Sequence, residues 1–213
     1  MKILVTGFDP FGNESINPSY EAVKLLPETI LDAQIVKMEV PTVMAKSVEK
    51  VVKKIEEINP DVVINVGQAG GRFVITPEKV AINLNDFRIC DNEGNQPLNE
   101  KIYKDGENAY FTTLPVKAMV SNMKNANIPA AVSYSAGTFV CNHIMYGVLY
   151  HIQKSNLPIR AGFIHIPFML EQVIDKANQP AMNLSDMALG LEKAIEAVIF
   201  NSADTDDLSG TIC

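Results

Sequence analysis

Residues 130–154 read AAVSYSAGTFVCNHIMYGVLYHIQK, and the change of period inside this stretch decides the architecture. Ala130 to Ser135 is a short, partly β-branched apolar run expected to be a strand. Ala136, Gly137 and Thr138 supply a small-residue turn, after which Ile144, Met145, Val148, Leu149 and Ile152 recur at helical spacing. Strand, tight turn and helix in succession put Cys141 in or just before the first helical turn. Unpaired backbone N–H groups and the helix dipole favour an anion there, a setting that lowers a cysteine pKa below its free value of about 8.5. Cys141 is therefore a candidate nucleophile, set against the plainer reading of a small buried apolar residue.

The segments on either side repeat the alternation. Upstream, KILVTG (2–7) reads as a buried strand, Asn17 and Pro18 as N-cap and first position of a helix to about Leu26, and 33–42 as a second strand. Val48, Val51, Val52, Ile55 and Ile58 give a helix within 43–58, stopped by Asn59 and Pro60, and VVINVG (62–67) is a third strand running into QAGGR. Downstream, 115–127 reads as a helix, AGFIHIP (161–167) as a strand, and 185–200 as a final helix with Ser185 at its N-cap. Strand–helix–strand in this order implies right-handed parallel crossovers. The expected fold is a single α/β domain over residues 1–200, three-layered, with a twisted, mostly parallel sheet and helices on both faces. Residues 201–213 are expected to be a mobile acidic tail. Residues 73–110 break the pattern: Pro77 argues against a central strand, and a long irregular excursion inside a compact domain is commonly a binding loop.

With 47% hydrophobic and 20% charged residues the chain has a globular composition, and a net charge of −7 argues against a nucleic-acid partner. No apolar run approaches the ~20 residues of a membrane helix. Met1 to Val5 is too short for a secretory core, which points to the cytoplasm. Three cysteines, Cys90, Cys141 and Cys213, show neither CxxC nor zinc spacing, so no disulfide framework and no metal is expected. Gly7 and Gly12 have P-loop spacing, but Asn13 and Glu14 stand where Lys and Ser or Thr belong.

A cysteine nucleophile needs a base, and the chain has three histidines. His143, two positions past Cys141, points to nearly the opposite side of the helix, and His151 lies about 15 Å further along its axis. His165 sits near the end of the strand 161–167. The carboxyl ends of parallel strands share one sheet edge, where the helix carrying Cys141 also begins, so His165 is the base the topology selects. A third group should orient the imidazole, and spacing leaves Glu78, Asp86, Asp91 and Asp9 open.

With these residues laid out, the chain resembles the pyroglutamyl peptidase I family, the pyrrolidone carboxyl peptidases. The likeness runs through GFDPFGNESINPS, VGQAGGRFVITPEKVAINLNDFRICDNEG, SAGTFVCNHIMYGVLYH and AGFIHIPFMLEQ. It implies a cytoplasmic thiol exopeptidase, usually a homotetramer and without cofactor. Its substrates would be peptides with an N-terminal pyroglutamate (5-oxoproline), which it removes through a thioester acyl-enzyme. By motif, the nucleophile is Cys141, the base His165 and the orienting acid Glu78. Arg88 and the Cys141 N–H would meet the oxyanion; Phe8, Phe11 and Phe139 would enclose the lactam ring with Asn17 and Gln68 nearby. Cys90 and Leu170 stand where proline is common in the family. Two other readings compete. A nucleoside phosphorylase would use QAGGR and Arg72 for phosphate or ribose, and a binding module would keep the pocket without turnover.

Overall fold

The computed structural model describes residues 1–206, 208 and 210. Its strands are β1 (Lys2–Phe8), β2 (Thr29–Ile30), β3 (Ala33–Val40), β4 (Val62–Gln68), β5 (Thr76–Pro77), β6 (Val80–Ile82), β7 (Ala109–Phe111), β8 (Arg160–Ile166), β9 (Phe168–Met169) and β10 (Ala181–Met182). The helices are α1 (Pro18–Leu25), α2 (Met44–Ile58), α3 (Val116–Asn125), α4 (Val140–Lys154) and α5 (Leu184–Phe200). Six strands form the main sheet in the order β2-β3-β1-β4-β8-β5. Its four inner strands are parallel, and the short edge strands β2 and β5 run antiparallel.

The inner strands are buried on both sides, which is why they read as continuous apolar runs. Ile3, Val5, Val62 and Ile64 point into one core with residues of α1, α3 and α5; Leu4, Phe8, Val63 and Phe163 point into the other with α2 and α4. Three layers result, as the sequence implied. The caps hold too. The Asn17 Oδ1 accepts the Ser19 N–H at 3.1 Å, and Asn59, at φ 45°, ends α2 in the left-handed conformation that asparagine tolerates.

Two expected elements differ. Ala130 to Ser135 is not a strand of the sheet; it makes only isolated parallel bridges, Ile75 with Ala130 and Glu78 with Ser133. The hydrogen bonds show why. Ile75 N–H reaches Pro129 O, Ala131 N–H reaches Ile75 O, Ser133 N–H reaches Pro77 O and Lys79 N–H reaches Ser133 O. The missing rung of this parallel ladder is the one Pro77, having no N–H, cannot donate. The final helix begins at Leu184 with Asn183 as N-cap, so Ser185 lies one position inside it.

The N-terminus of α3 follows Pro115, which offers no side-chain cap. Asp204, from the expected tail, takes that place: its Oδ1 accepts the Lys117 N–H at 2.8 Å and the Ala118 N–H at 3.4 Å. Cys213 lies outside the described residues.

Candidate active site

The carboxyl ends of the central strands meet at one edge, and the chemistry collects there. Phe8 closes β1, Gln68 closes β4, His165 is the penultimate residue of β8, and α4 starts above them with Cys141 at its second position. Gly67 is paired in register with His165. A Cβ on Gly67 would stand 3.0 Å from the Cys141 sulfur and 2.6 Å from the Phe163 ring. Glycine is thus required where the thiol settles on the sheet, one strand spacing of about 4.8 Å from the backbone of His165.

Cys141 and His165 line one small cavity of about 140 Å³, together with Phe8, Phe11, Asn17, Gln68 and Phe139. Seven of the nine residues singled out from the sequence are thereby brought together. Phe11 faces Phe139 with ring centroids 6.1 Å apart, and buried Phe87 braces Phe139 edge-on at 4.6 Å. An apolar cavity of about 150 Å³ holds a benzene ring, so this one matches a single small ring. Polar groups line it as well. Asn17 spends its Oδ1 on Ser19 and one amide hydrogen on the Asp9 carbonyl. Gln68 Oε1 accepts from Gln172 at 2.8 Å, which turns the Gln68 amide with both its hydrogens to other acceptors.

Behind the cavity, His165 Nδ1 lies 2.6 Å from Glu78 Oε1. Glu78 is fully buried, and the same oxygen accepts Arg72 Nη1 at 2.6 Å. Arg72 also holds Thr76 Oγ1 and, at 3.2 Å, the Ser135 carbonyl. The other carboxylates left open by spacing are engaged elsewhere. Asp91 accepts the N–H groups of Met44, Glu93 and Asn95; Asp9 accepts that of Thr42; Asp86 accepts that of Asn99.

Burial would raise the Glu78 pKa, but the His165 hydrogen bond, its charge and the Arg72 charge outweigh it and hold Glu78 ionised below its ordinary value. Burial pushes His165 down, with Arg72 adding to the shift and Glu78 opposing it. The expected lowering of the Cys141 pKa is overturned. Burial, then the Glu78 charge, push the thiol up to about 12, against smaller pulls from Arg72 and its own backbone N–H. Cys141 keeps some exposure through the cavity. Both shifts favour the neutral forms, a thiol and an imidazole. With Nδ1–H donated to Glu78, the Nε2 lone pair is left to act as base.

Arg88 is exposed and lies not in this cavity but in the groove next to it, which shares Phe11 and Gln68. Sequence reasoning missed Gly67 and Phe87 and gave Arg72 only to the phosphate-binding alternative. Its position in a loop straight after the carboxyl end of β4 was the available signal. Arg72 spends its guanidinium on Thr76, Glu78 and Ser135, a poor starting point for holding phosphate. His143 is buried and its Nδ1 lies 2.9 Å from Asn85 Oδ1, away from Cys141. Among the described residues no cluster of three or more His, Cys, Asp or Glu could hold a metal ion.

The pyroglutamyl peptidase family matches residues 1–201 of the chain. A pyrrolidone-carboxylate peptidase of Clostridium perfringens is 60% identical over 213 residues, 100% of both chains. One of Finegoldia magna is 61% identical over 205 residues, 96% of each. The crystal structure of pyroglutamyl peptidase I from Bacillus amyloliquefaciens superposes with a TM-score of 0.94 at 49% identity, covering 97% of this chain and 98% of that one. The pyrrolidone carboxyl peptidase of Thermococcus litoralis gives a TM-score of 0.90 at 37% identity over 93% of each chain.

Proposed function

Because the chain belongs to the pyroglutamyl peptidase family, we propose that it hydrolyses the amide bond after an N-terminal pyroglutamyl residue, with Cys141 as nucleophile, His165 as base and Glu78 as orienting acid. The observation that carries this reading is the shared cavity: thiol and imidazole line one aromatic pocket of about 140 Å³, with a buried carboxylate 2.6 Å behind the imidazole.

His165 Nε2 takes the thiol proton as Cys141 Sγ attacks the carbonyl carbon that follows the lactam ring. Transfer at the moment of attack suits a pair that rests neutral. The negative charge passes to the carbonyl oxygen, which the Cys141 N–H meets; as a helix-start donor it has no intrahelical acceptor. Arg88 supplies a second donor by reaching in from the adjoining groove. The imidazolium, stabilised by Glu78, protonates the departing amine nitrogen as the C–N bond breaks, leaving a thioester. Water, deprotonated by His165, then releases pyroglutamate and restores the thiol.

The lactam fits the pocket by size and by polarity. Phe8, Phe11 and Phe139 take its apolar edge, and Gln68 has amide hydrogens for its carbonyl. Proline in its place lacks that carbonyl and would leave a buried donor unpaired, so it should be rejected more strongly than shape alone achieves. No cofactor takes part in this scheme. The reading includes a homotetramer in the cytoplasm; light scattering of the purified chain tests the tetramer.

The test is hydrolysis of a pyroglutamyl-coumarin amide by the wild-type chain and by Cys141→Ser of unchanged circular dichroism and melting. Activity is expected in the first and at least a thousandfold less in the second. Full activity of the variant would overturn the assignment, and its use avoids the ambiguity of thiol reagents that also modify exposed Cys90.

A further inference from the structure

A second cavity opens directly from the lactam pocket. It measures about 460 Å³, more than three times the 140 Å³ of its neighbour, and the two share Phe11 and Gln68 as a common rim. Its size falls in the range of about 300–1,000 Å³ typical of ligand sites. Another cavity, of about 810 Å³ along Thr76 and Ser133 to Ser135, shares no lining residue with the lactam pocket. The adjoining groove is therefore open to a peptide whose first residue fills the lactam pocket.

The walls of that groove are apolar with a cationic edge. Phe11, Ile89 and Phe168 give the apolar part; Arg88, Lys176 and Glu14 carry the charges. Lys176 is placed by two contacts, an ion pair with Glu14 and a position 4.7 Å from the centre of the Phe168 ring. The Phe168 ring in turn occupies the space that a Cβ on Gly70 would enter, 2.2 Å away. Arg88 has no ion pair or hydrogen bond among the described residues. Two cations against one carboxylate leave the groove at +1, on a chain whose net charge is −7. A cleft of opposite sign to its surroundings selects ligands by charge.

We infer that this groove is the subsite for the leaving part of the peptide, and that it favours an acidic residue, or a free C-terminal carboxylate, just after the pyroglutamyl residue. The inference rests on the proposed peptidase activity and adds to it a choice among substrates. Arg88 puts a cation on the groove wall whether its N–H groups meet an oxyanion or a side chain. Lys176 is the residue that tunes the groove without a part in bond cleavage.

The experiment compares kcat/KM for three amidated peptides, pyroglutamyl-Glu-Ala, pyroglutamyl-Ala-Ala and pyroglutamyl-Lys-Ala, by release of free pyroglutamate. The wild-type chain is expected to prefer Glu over Lys by about three- to fivefold at low salt, the scale of one solvent-exposed charge contact. The preference should shrink toward unity at high ionic strength. In Lys176→Glu the Glu-to-Lys ratio should fall to one or below; Lys176→Gln should lie between. The ratio is internal to each protein, so a general loss of activity does not disturb it, and the wild-type salt series stands if either variant fails to fold. Equal cleavage of all three peptides by the wild type, or a preference that both Lys176 substitutions leave untouched, would overturn the subsite. Cleavage of none of the three, with the coumarin amide also inert, would instead overturn the peptidase reading beneath it.

Discussion

Two histidines in this molecule begin from nearly the same circumstances and end in different chemistry. His143 and His165 are both buried, and each has Nδ1 fixed by a side-chain oxygen, at 2.9 Å from Asn85 and 2.6 Å from Glu78. Burial alone drives an imidazole towards its neutral form. Around His143 nothing strong opposes it: the partner is a carboxamide, the Asp91 charge pulls only weakly, and the pKa falls to about 4. Around His165 the partner is an ionised carboxylate braced by Arg72, which raises what burial lowers. The first environment yields a fixed neutral ring. The second yields a ring that is neutral at rest yet has a counter-charge waiting when it takes a proton. Catalysis at His165 depends on that waiting charge and on the cavity at its other nitrogen, not on burial or on a pinned tautomer, which both histidines have.

The comparison is broken most severely by Glu78→Gln, which gives His165 the kind of partner His143 has. The carboxamide can still accept Nδ1–H, so ring orientation survives while stabilisation of the imidazolium is lost. In serine peptidase triads the equivalent change costs about 10⁴ in kcat, where the amide also fixes the wrong tautomer. Here a fall of about a thousandfold or more in kcat is expected, measured on the coumarin amide with the fold checked by circular dichroism. A loss under tenfold would mean the carboxylate charge is not what separates the two sites.

Arg72→Gln weakens the same contrast one step further out. Removing it leaves a fully buried carboxylate with only His165 as charged partner, a change that in buried pairs costs about 3–5 kcal/mol. Since Arg72 is partly exposed, about 2–3 kcal/mol of stability at pH 7 is the expectation, read from denaturant melts. The pH profile separates this from a merely structural role. The Arg72 charge lowers the His165 pKa, so without it that pKa rises. The acidic limb of kcat/KM reports the free enzyme's base. In the wild type it should lie below about 6.5, with activity lost as pH falls through the depressed His165 pKa; in Arg72→Gln it should move to higher pH. An unmoved limb would leave Arg72 as scaffolding only.

How much of this was legible beforehand follows from the kind of signal each part carries. The central strands and α2 were visible because double burial writes unbroken apolar runs and single-face burial writes a helical period. The meeting of Cys141 and His165 followed from parallel topology, which converts distant positions into neighbours on one edge. Ala130 to Ser135 misled because its composition resembles a strand, while the obstacle to pairing, Pro77, lies on the partner segment. The elevated thiol pKa was illegible for a related reason. A helix start is written in sequence, but the burial and the Glu78 charge that outweigh it exist only once four separate segments have assembled. Spacing could not choose Glu78 over Asp9, Asp86 and Asp91, since each carboxylate turns out to satisfy N–H groups or a ring according to contacts across the fold.

The gentlest change runs the comparison in reverse. Asn85→Asp gives His143 a carboxylate, as Glu78 serves His165, but gives it no cavity and no substrate. In the wild type the folded His143 pKa of about 4 lies below the unfolded value of about 6.5, so the unfolded chain binds the extra proton between them. Stability contributed by neutral His143 is therefore full above pH 6.5 and lost as pH falls towards 4, by about 3 kcal/mol from the 2.5-unit difference. His165 adds a loss of the same sign. With Asp at position 85 the imidazolium is stabilised in the fold, the His143 pKa rises, and the part of the slope due to His143 should flatten. His143→Phe should flatten it equally, by removing the group altogether. Denaturant melts at pH 4, 5, 6 and 7 measure the slope, independently of any constant cost of placing a carboxylate at position 85. Throughout, kcat/KM at pH 7 should stay within about twofold of wild type, because a charged partner on a ring that faces no substrate has nothing to catalyse.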